Sequence, residues 1–238
     1  MQKKFYILGG SYTWLQIITH VSAWLPAVYL IVAYLSDNLT VNPIQELTKR
    51  SGYFALILLV LSLACTPANT LFGWRFALKI RRPLGLYAFL YAFGHFLTFA
   101  GLDYGFDLDL LPEAILEKPF ILIGATALLI LTALAVTSFQ WWMKRLGKNW
   151  KRLHKLIYLA APLVVLHFAW SQKGDLLRLQ GDILQPLVFG LIVGVLLLLR
   201  VPAIRRQVNG LRHSAKQPRS DIQEKKQPWR AGKSRAQP

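Results

Sequence analysis

The chain is poor in acid and almost devoid of sulfur. Of its 238 residues 11 are Asp or Glu, against 28 Lys or Arg; one is Cys and two are Met. The lone Cys65 rules out an intrachain disulfide and a thiolate cage for zinc. Inside an apolar run it reads as a small buried apolar residue. Charged residues make up 16% of the chain, where a soluble domain carries about 25%. There is no P-loop, no G-x-S-x-G turn and no G-x-G-x-x-G. Nucleotide phosphates and a hydrolase nucleophile therefore lack their usual cradles. No internal repeat stands out. The formal net charge of +17 would suggest nucleic acid in a soluble protein. Here the basic residues flank apolar runs or crowd the C-terminal tail, which points to anionic lipid and topology signals instead.

What is abundant is apolar sequence. Hydrophobic residues make up 54%, and the mean hydropathy is +0.37. Six segments have about the 20 apolar residues that a membrane-spanning helix needs: Tyr12–Leu35, Gly52–Leu71, Leu84–Gly101, Pro119–Trp142, Leu153–Trp170 and Ile183–Val201. The first is long, holds His20 and Pro26, and lacks a small-x-small cleavage site, so it reads as a retained span rather than a signal peptide. The expected fold is an all-α, six-helix membrane bundle. Residues 1–11 form an N-terminus, 12–201 the bundle, and 202–238 a disordered basic tail. Lys and Arg gather after the second span (Arg75, Lys79, Arg81, Arg82) and after the fourth (Lys144, Arg145, Lys148, Lys151, Arg152). Asp103, Asp107, Asp109, Glu113 and Glu117 follow the third. Positive-inside bias then puts both termini in the cytoplasm and the acidic loop outside.

Histidines inside such spans are costly unless partnered and are functional candidates by default. His95 lies thirteen residues past Arg82, and His167 fifteen past Arg152. At 1.5 Å per residue these are depths of about 20 and 22 Å from the same face. Two imidazoles at one level are what bis-histidine ligation of a haem iron requires. His154 lies about 19 Å from His167 along the helix axis, near the inner face, where it would serve a second haem. Thirteen residues leave His154 and His167 about 140° apart around an ideal helix, with Pro162 between them to alter the winding. His20 is the remaining candidate, about 12 Å into the first span. The chain reads as a membrane b-type cytochrome.

Several segments, in order and at natural spacing over roughly residues 10–175, resemble the MsrQ (YedZ) family. They include Asn42–Gly52 (NPIQELTKRSG), Arg81–His95 (RRPLGLYAFLYAFGH), Lys118–Gly124 (KPFILIG) and Arg145–Tyr158 (RLGKNWKRLHKLIY) running on to His167. The wider group is the ferric reductase-like transmembrane domain. Two helices there each carry two histidines; this chain keeps the later pair, His154 and His167, and only His95 on the earlier helix. The resemblance implies a haem-binding subunit of the bacterial inner membrane, with one or two haems b and an association with FMN. It also implies electrons drawn from a cytoplasmic flavin reductase or the quinone pool. Their recipient would be MsrP, a periplasmic molybdopterin enzyme that reduces methionine sulfoxide and so repairs oxidised proteins. Substrate chemistry then belongs to the partner. The rival readings are a stand-alone ferric or flavin-linked metalloreductase, and a non-redox scaffold or transporter.

Overall fold

Apolar runs close into helices because a backbone in lipid must satisfy its own hydrogen bonds. A computed structural model describes residues 4–7, 10–107, 109–172, 183–204 and 206–207. Its helices are α1 (Trp14–Leu35), α2 (Pro43–Phe72), α3 (Ala77–Leu97), α4 (Leu110–Glu117), α5 (Pro119–Val136), α6 (Gln140–Leu146), α7 (Lys148–Leu153), α8 (Ile157–Ser171) and α9 (Leu184–Leu198). A π-helical turn, Thr98–Asp103, extends α3, and a 3₁₀ turn, His154–Leu156, joins α7 to α8. One departure from an all-α fold is a two-stranded antiparallel hairpin ahead of α1, pairing β1 (Lys4–Ile7) with β2 (Gly10–Thr13). From residue 208 the basic tail lies outside the described residues.

Among the described residues five helical stretches are long and apolar enough to span: Trp14–Leu35, Pro43–Phe72, Ala77–Asp103, Pro119–Val136 and Lys148–Ser171. The sixth expected span, residues 183–201, is represented by α9, which at 15 residues covers about 22 Å and falls short of the others. Helix ends moved where polar chemistry overrides hydropathy. α2 begins nine residues ahead of its apolar run, because Pro43 suits a first helical turn and the Asn42 side chain accepts the Gln45 N–H at 3.1 Å. It ends at Gly73, whose φ of 73° is left-handed. The fourth span stops at Val136 rather than Trp142. There the Thr137 and Ser138 hydroxyls bond back to the Ala133 and Leu134 carbonyls at 2.6 and 2.7 Å. The indole N–H of Trp150 takes the Thr137 carbonyl at 2.8 Å, which holds the turn.

Two antiparallel hairpins, α2 with α3 and α5 with α8, pack side by side. Their seam is made of small and medium residues: Leu59, Leu63, Ala88, Leu131, Ala160, Ala161 and Val193 form one buried cluster. Ala160 and Ala161 have no exposed surface. Small residues let helix backbones approach where lipid offers no hydrophobic drive for association. The outward faces are apolar, with Leu129 71% and Leu191 70% exposed. Such faces suit a hydrocarbon solvent, not water. α1 leans on α3, with the Tyr91 hydroxyl donating to the Ala23 carbonyl at 2.7 Å.

Candidate functional site

His95 stands near the end of α3 and His167 near the end of α8, and the two rings meet. Their centroids are 6.0 Å apart, and their planes are inclined at 77°. Each Nδ1 is tied to a backbone carbonyl of the hairpin partner: His95 to Thr48 at 2.8 Å, His167 to Phe120 at 2.6 Å. A carbonyl can only accept, so each Nδ1 carries the proton and each Nε2 is left with its lone pair. Neither Nε2 makes a hydrogen bond among the described residues. Imidazole nitrogen binds a metal at about 2.0–2.1 Å, so two rings holding one ion from opposite sides have centres roughly 6 Å apart. The pair has that spacing.

A glycine lies behind each ring. A Cβ at Gly52 would fall 3.0 Å from His95 Nδ1, and one at Gly124 would fall 2.6 Å from His167 Nδ1. In both hairpins the carbonyl lies 47 residues before its histidine. The second set repeats the first 72 residues later: 48 to 120, 52 to 124, 95 to 167. The shift also pairs Ala55 with Ala127, Leu59 with Leu131, Ala88 with Ala160, and Phe96 with Phe168. The hairpins are therefore two copies of one unit, each presenting an imidazole to the other. Sequence reading missed this repeat because its matching residues are common apolar and small ones. The carbonyls that orient the rings carry no side-chain signal at all.

The rings open onto a cavity of about 430 Å³, a size typical of small-molecule and cofactor sites. Leu56, Ala92, Leu128, Leu131 and Val164 line its deeper part. Asn42, Gln45, Lys49, Tyr104, Lys118 and Gln172 line it at the end where α2 and α5 begin. Among the described residues no group of three His, Cys, Asp or Glu gathers as a metal cage. The pair thus offers two imidazole nitrogens, with room between the hairpins for a group that brings further donors of its own.

The other candidates are placed elsewhere. His154 lies in the 3₁₀ turn, its Nδ1 3.2 Å from the Trp150 carbonyl and its Nε2 3.5 Å from the Ser138 hydroxyl. Trp150 packs on its ring at 4.1 Å between centroids. Three residues per turn here, instead of 3.6, cut the expected 140° offset from His167 by about 60°. The repeat pairs position 154 with position 82, so Arg82 stands where a second inner imidazole would be, and its guanidinium donates to the Ser138 carbonyl. His20, on α1, has Nδ1 2.9 Å from the Tyr87 hydroxyl and does not line the cavity.

A bundle of apolar helices that presents one imidazole from each of two hairpins defines a membrane protein with a paired-histidine site. Residues 51–165 match the family described as the ferric reductase like transmembrane component. Among the chain's relatives are proteins named protein-methionine-sulfoxide reductase heme-binding subunit MsrQ. That of Rhodospirillum rubrum is 42% identical over 82% of this chain and 91% of its own length. That of Herminiimonas arsenicoxydans is 41% identical over 76% and 81%, and that of Deinococcus radiodurans 44% over 69% and 81%. The chain belongs to the MsrQ family, and it is a multi-pass membrane protein.

Proposed function

We propose that this chain is the haem-binding membrane subunit of a methionine sulfoxide reductase system and carries electrons across the bilayer to its partner. The observation that supports this most is the facing His95 and His167 pair, with both Nδ1 protons committed to carbonyls. When bound, haem b supplies one-electron redox chemistry. The protein's part is to hold it. His95 and His167 would hold its iron through their Nε2 atoms. Their Nδ1–H bonds fix the tautomer and ring direction and make each ligating nitrogen more basic. Lys49 and Lys118 would meet the porphyrin's carboxylates at the polar end of the cavity, while the leucines and Val164 exclude water from its apolar edge.

In this reading the acidic end faces the periplasm and both termini face the cytoplasm of the bacterial inner membrane, since the basic connections lie at the other end. α9 would complete a sixth crossing. Electrons would enter from a cytoplasmic flavin reductase, FMN or quinone. They would leave to an MsrP-like molybdopterin reductase, where sulfoxide chemistry occurs. His154 would be the protein's ligand for a second, inner haem, with Arg82 in the repeat-related position. The test is a reduced-minus-oxidised spectrum, with haem quantified per chain, for wild type and for His95→Ala, His167→Ala and His154→Ala. A b-type spectrum that collapses in the first two variants is expected. A partial loss with His154→Ala marks an inner haem, and full retention removes it. A colourless wild type made with ample haem would sink the electron-transfer reading in favour of a scaffold or transporter. Reduction of free ferric chelates but not of the sulfoxide reductase would favour a stand-alone metalloreductase.

A further inference from the structure

The end of the bundle opposite the histidine pair holds a half-buried arginine near an exposed one, with no acid close to them among the described residues. Arg200, two residues past α9, turns back into the bundle. One of its terminal nitrogens donates to the Leu63 carbonyl at 2.6 Å, and its guanidinium lies 5.9 Å from the centre of the Tyr158 ring. Arg81 lies against the same stretch of α2, its carbonyl accepting the Ser62 hydroxyl at 2.9 Å. The Arg200 Nε is buried and has no partner. The only other such side-chain atom among the described residues is the Thr66 hydroxyl oxygen, on α2 one turn beyond Leu63. Both orphaned atoms thus lie on or against the same stretch of α2. Each described Asp or Glu sits at the other end, in the connections before α2 and α5, in the first turn of α2, or in α4. A desolvated charge without a counter-charge is expensive. Two arginines with no acid near them among the described residues, against the stretch of α2 that carries an unsatisfied hydroxyl, describe a place for an anion.

We propose that Arg200 and Arg81 bind a phosphate group, with the Thr66 hydroxyl as a further donor. The guanidinium fork matches the oxygens of a phosphate in a way that a single ammonium cannot. Basic pockets between membrane helices at the headgroup level are suited to anionic lipid. Leu198 and Val201 flank Arg200 and are 58% and 41% exposed, a surface fit for acyl chains. A phosphate on a small soluble molecule would engage the same donors without needing that surface. The site does not depend on haem binding.

The test uses the full chain purified in mild detergent, with phosphorus and bound lipid measured per chain by native mass spectrometry. Wild type should keep an anionic phospholipid. Arg200→Gln and Arg81→Gln should each bind it at least about tenfold more weakly, the expectation for losing charge-assisted hydrogen bonds. Helical content by circular dichroism shows whether each variant folds. If Arg200→Gln does not, Arg200→Lys keeps the charge, loses the fork, and should retain less lipid than wild type. Melting is then compared in phosphatidylcholine vesicles, in the same vesicles with phosphatidylglycerol, and in the first with inorganic phosphate. A rise in Tm with phosphatidylglycerol in wild type but not in Arg81→Gln identifies a lipid phosphate. A rise with inorganic phosphate alone identifies a soluble one. No retained phosphorus and no shift with either, or equal retention by wild type and both Gln variants, would overturn the proposal.

Discussion

At the scale of single residues, the site is set by what is missing behind each imidazole. Gly52 and Gly124 leave the space that His95 and His167 fill, and the two spaces are unequal. A Cβ at position 124 would lie 2.6 and 2.7 Å from two atoms of the His167 ring, whereas at position 52 the nearest approach is 3.0 Å. The first cannot be met without moving the ring, and the second needs only a shift of a few tenths of an ångström. Gly124→Ala should therefore lose most of its haem per chain, while Gly52→Ala keeps it with an altered midpoint potential. Pyridine haemochrome assay and redox titration separate the two, and equal haem content in both variants would refute the argument. The histidines themselves were legible in the sequence, because charged residues mark helix starts and a helix rises by a fixed amount per residue. Their glycine and carbonyl partners were not, since neither carries a chemical signature of its own.

At the scale of elements, the repeated hairpin explains why both rings arrive at one level. Ala88 and Ala160 occupy the same position in the two copies and are 1% and 0% exposed. Each lets its hairpin approach the bundle centre. Leucine at either place adds methylene groups to a full interior, at a cost of about 1–3 kcal/mol. Ala88→Leu and Ala160→Leu should lower Tm by similar amounts, whereas Leu129→Ala, on a lipid-facing surface, should change it little. Unequal effects at the two alanines would deny the equivalence of the hairpins. Hydropathy located the five long spans but placed their ends poorly at α2, α3 and α5. Asn42 and Pro43 start a helix in polar sequence, the basic stretch Lys79–Arg82 is already helical, and Thr137 and Ser138 end a span ahead of two tryptophans. Capping and side-chain-to-carbonyl bonds decide these points, and an apolar count does not register them.

At the scale of the molecule, charge is segregated along the bundle axis, and this makes a prediction about the partner. The connection between α3 and α5 carries Asp103, Asp107, Asp109, Glu113 and Glu117 beside the polar end of the cavity. The Asp107 carboxylate accepts the N–H groups of Asp109 and Leu110 at 2.8 and 3.1 Å, which holds its pKa below the ordinary carboxylate value. The sign follows: a group with a depressed pKa stays charged, and keeps its contribution to the folded loop, until pH falls through that lowered value. Acids gathered in the connection beside the cavity suit a partner with a basic docking face, and such complementarity acts mainly on the association rate. Replacing Asp103, Asp107, Asp109, Glu113 and Glu117 by their amides should slow electron delivery to the sulfoxide reductase about tenfold or more at low ionic strength. The gap should close as salt is raised, because screening already weakens the wild-type attraction. The haem spectrum should be unchanged. Stopped-flow oxidation of the reduced protein by its partner, across a salt series, reads both effects. A rate indifferent to the substitutions at low salt would mean that the acidic connection is not where the partner docks.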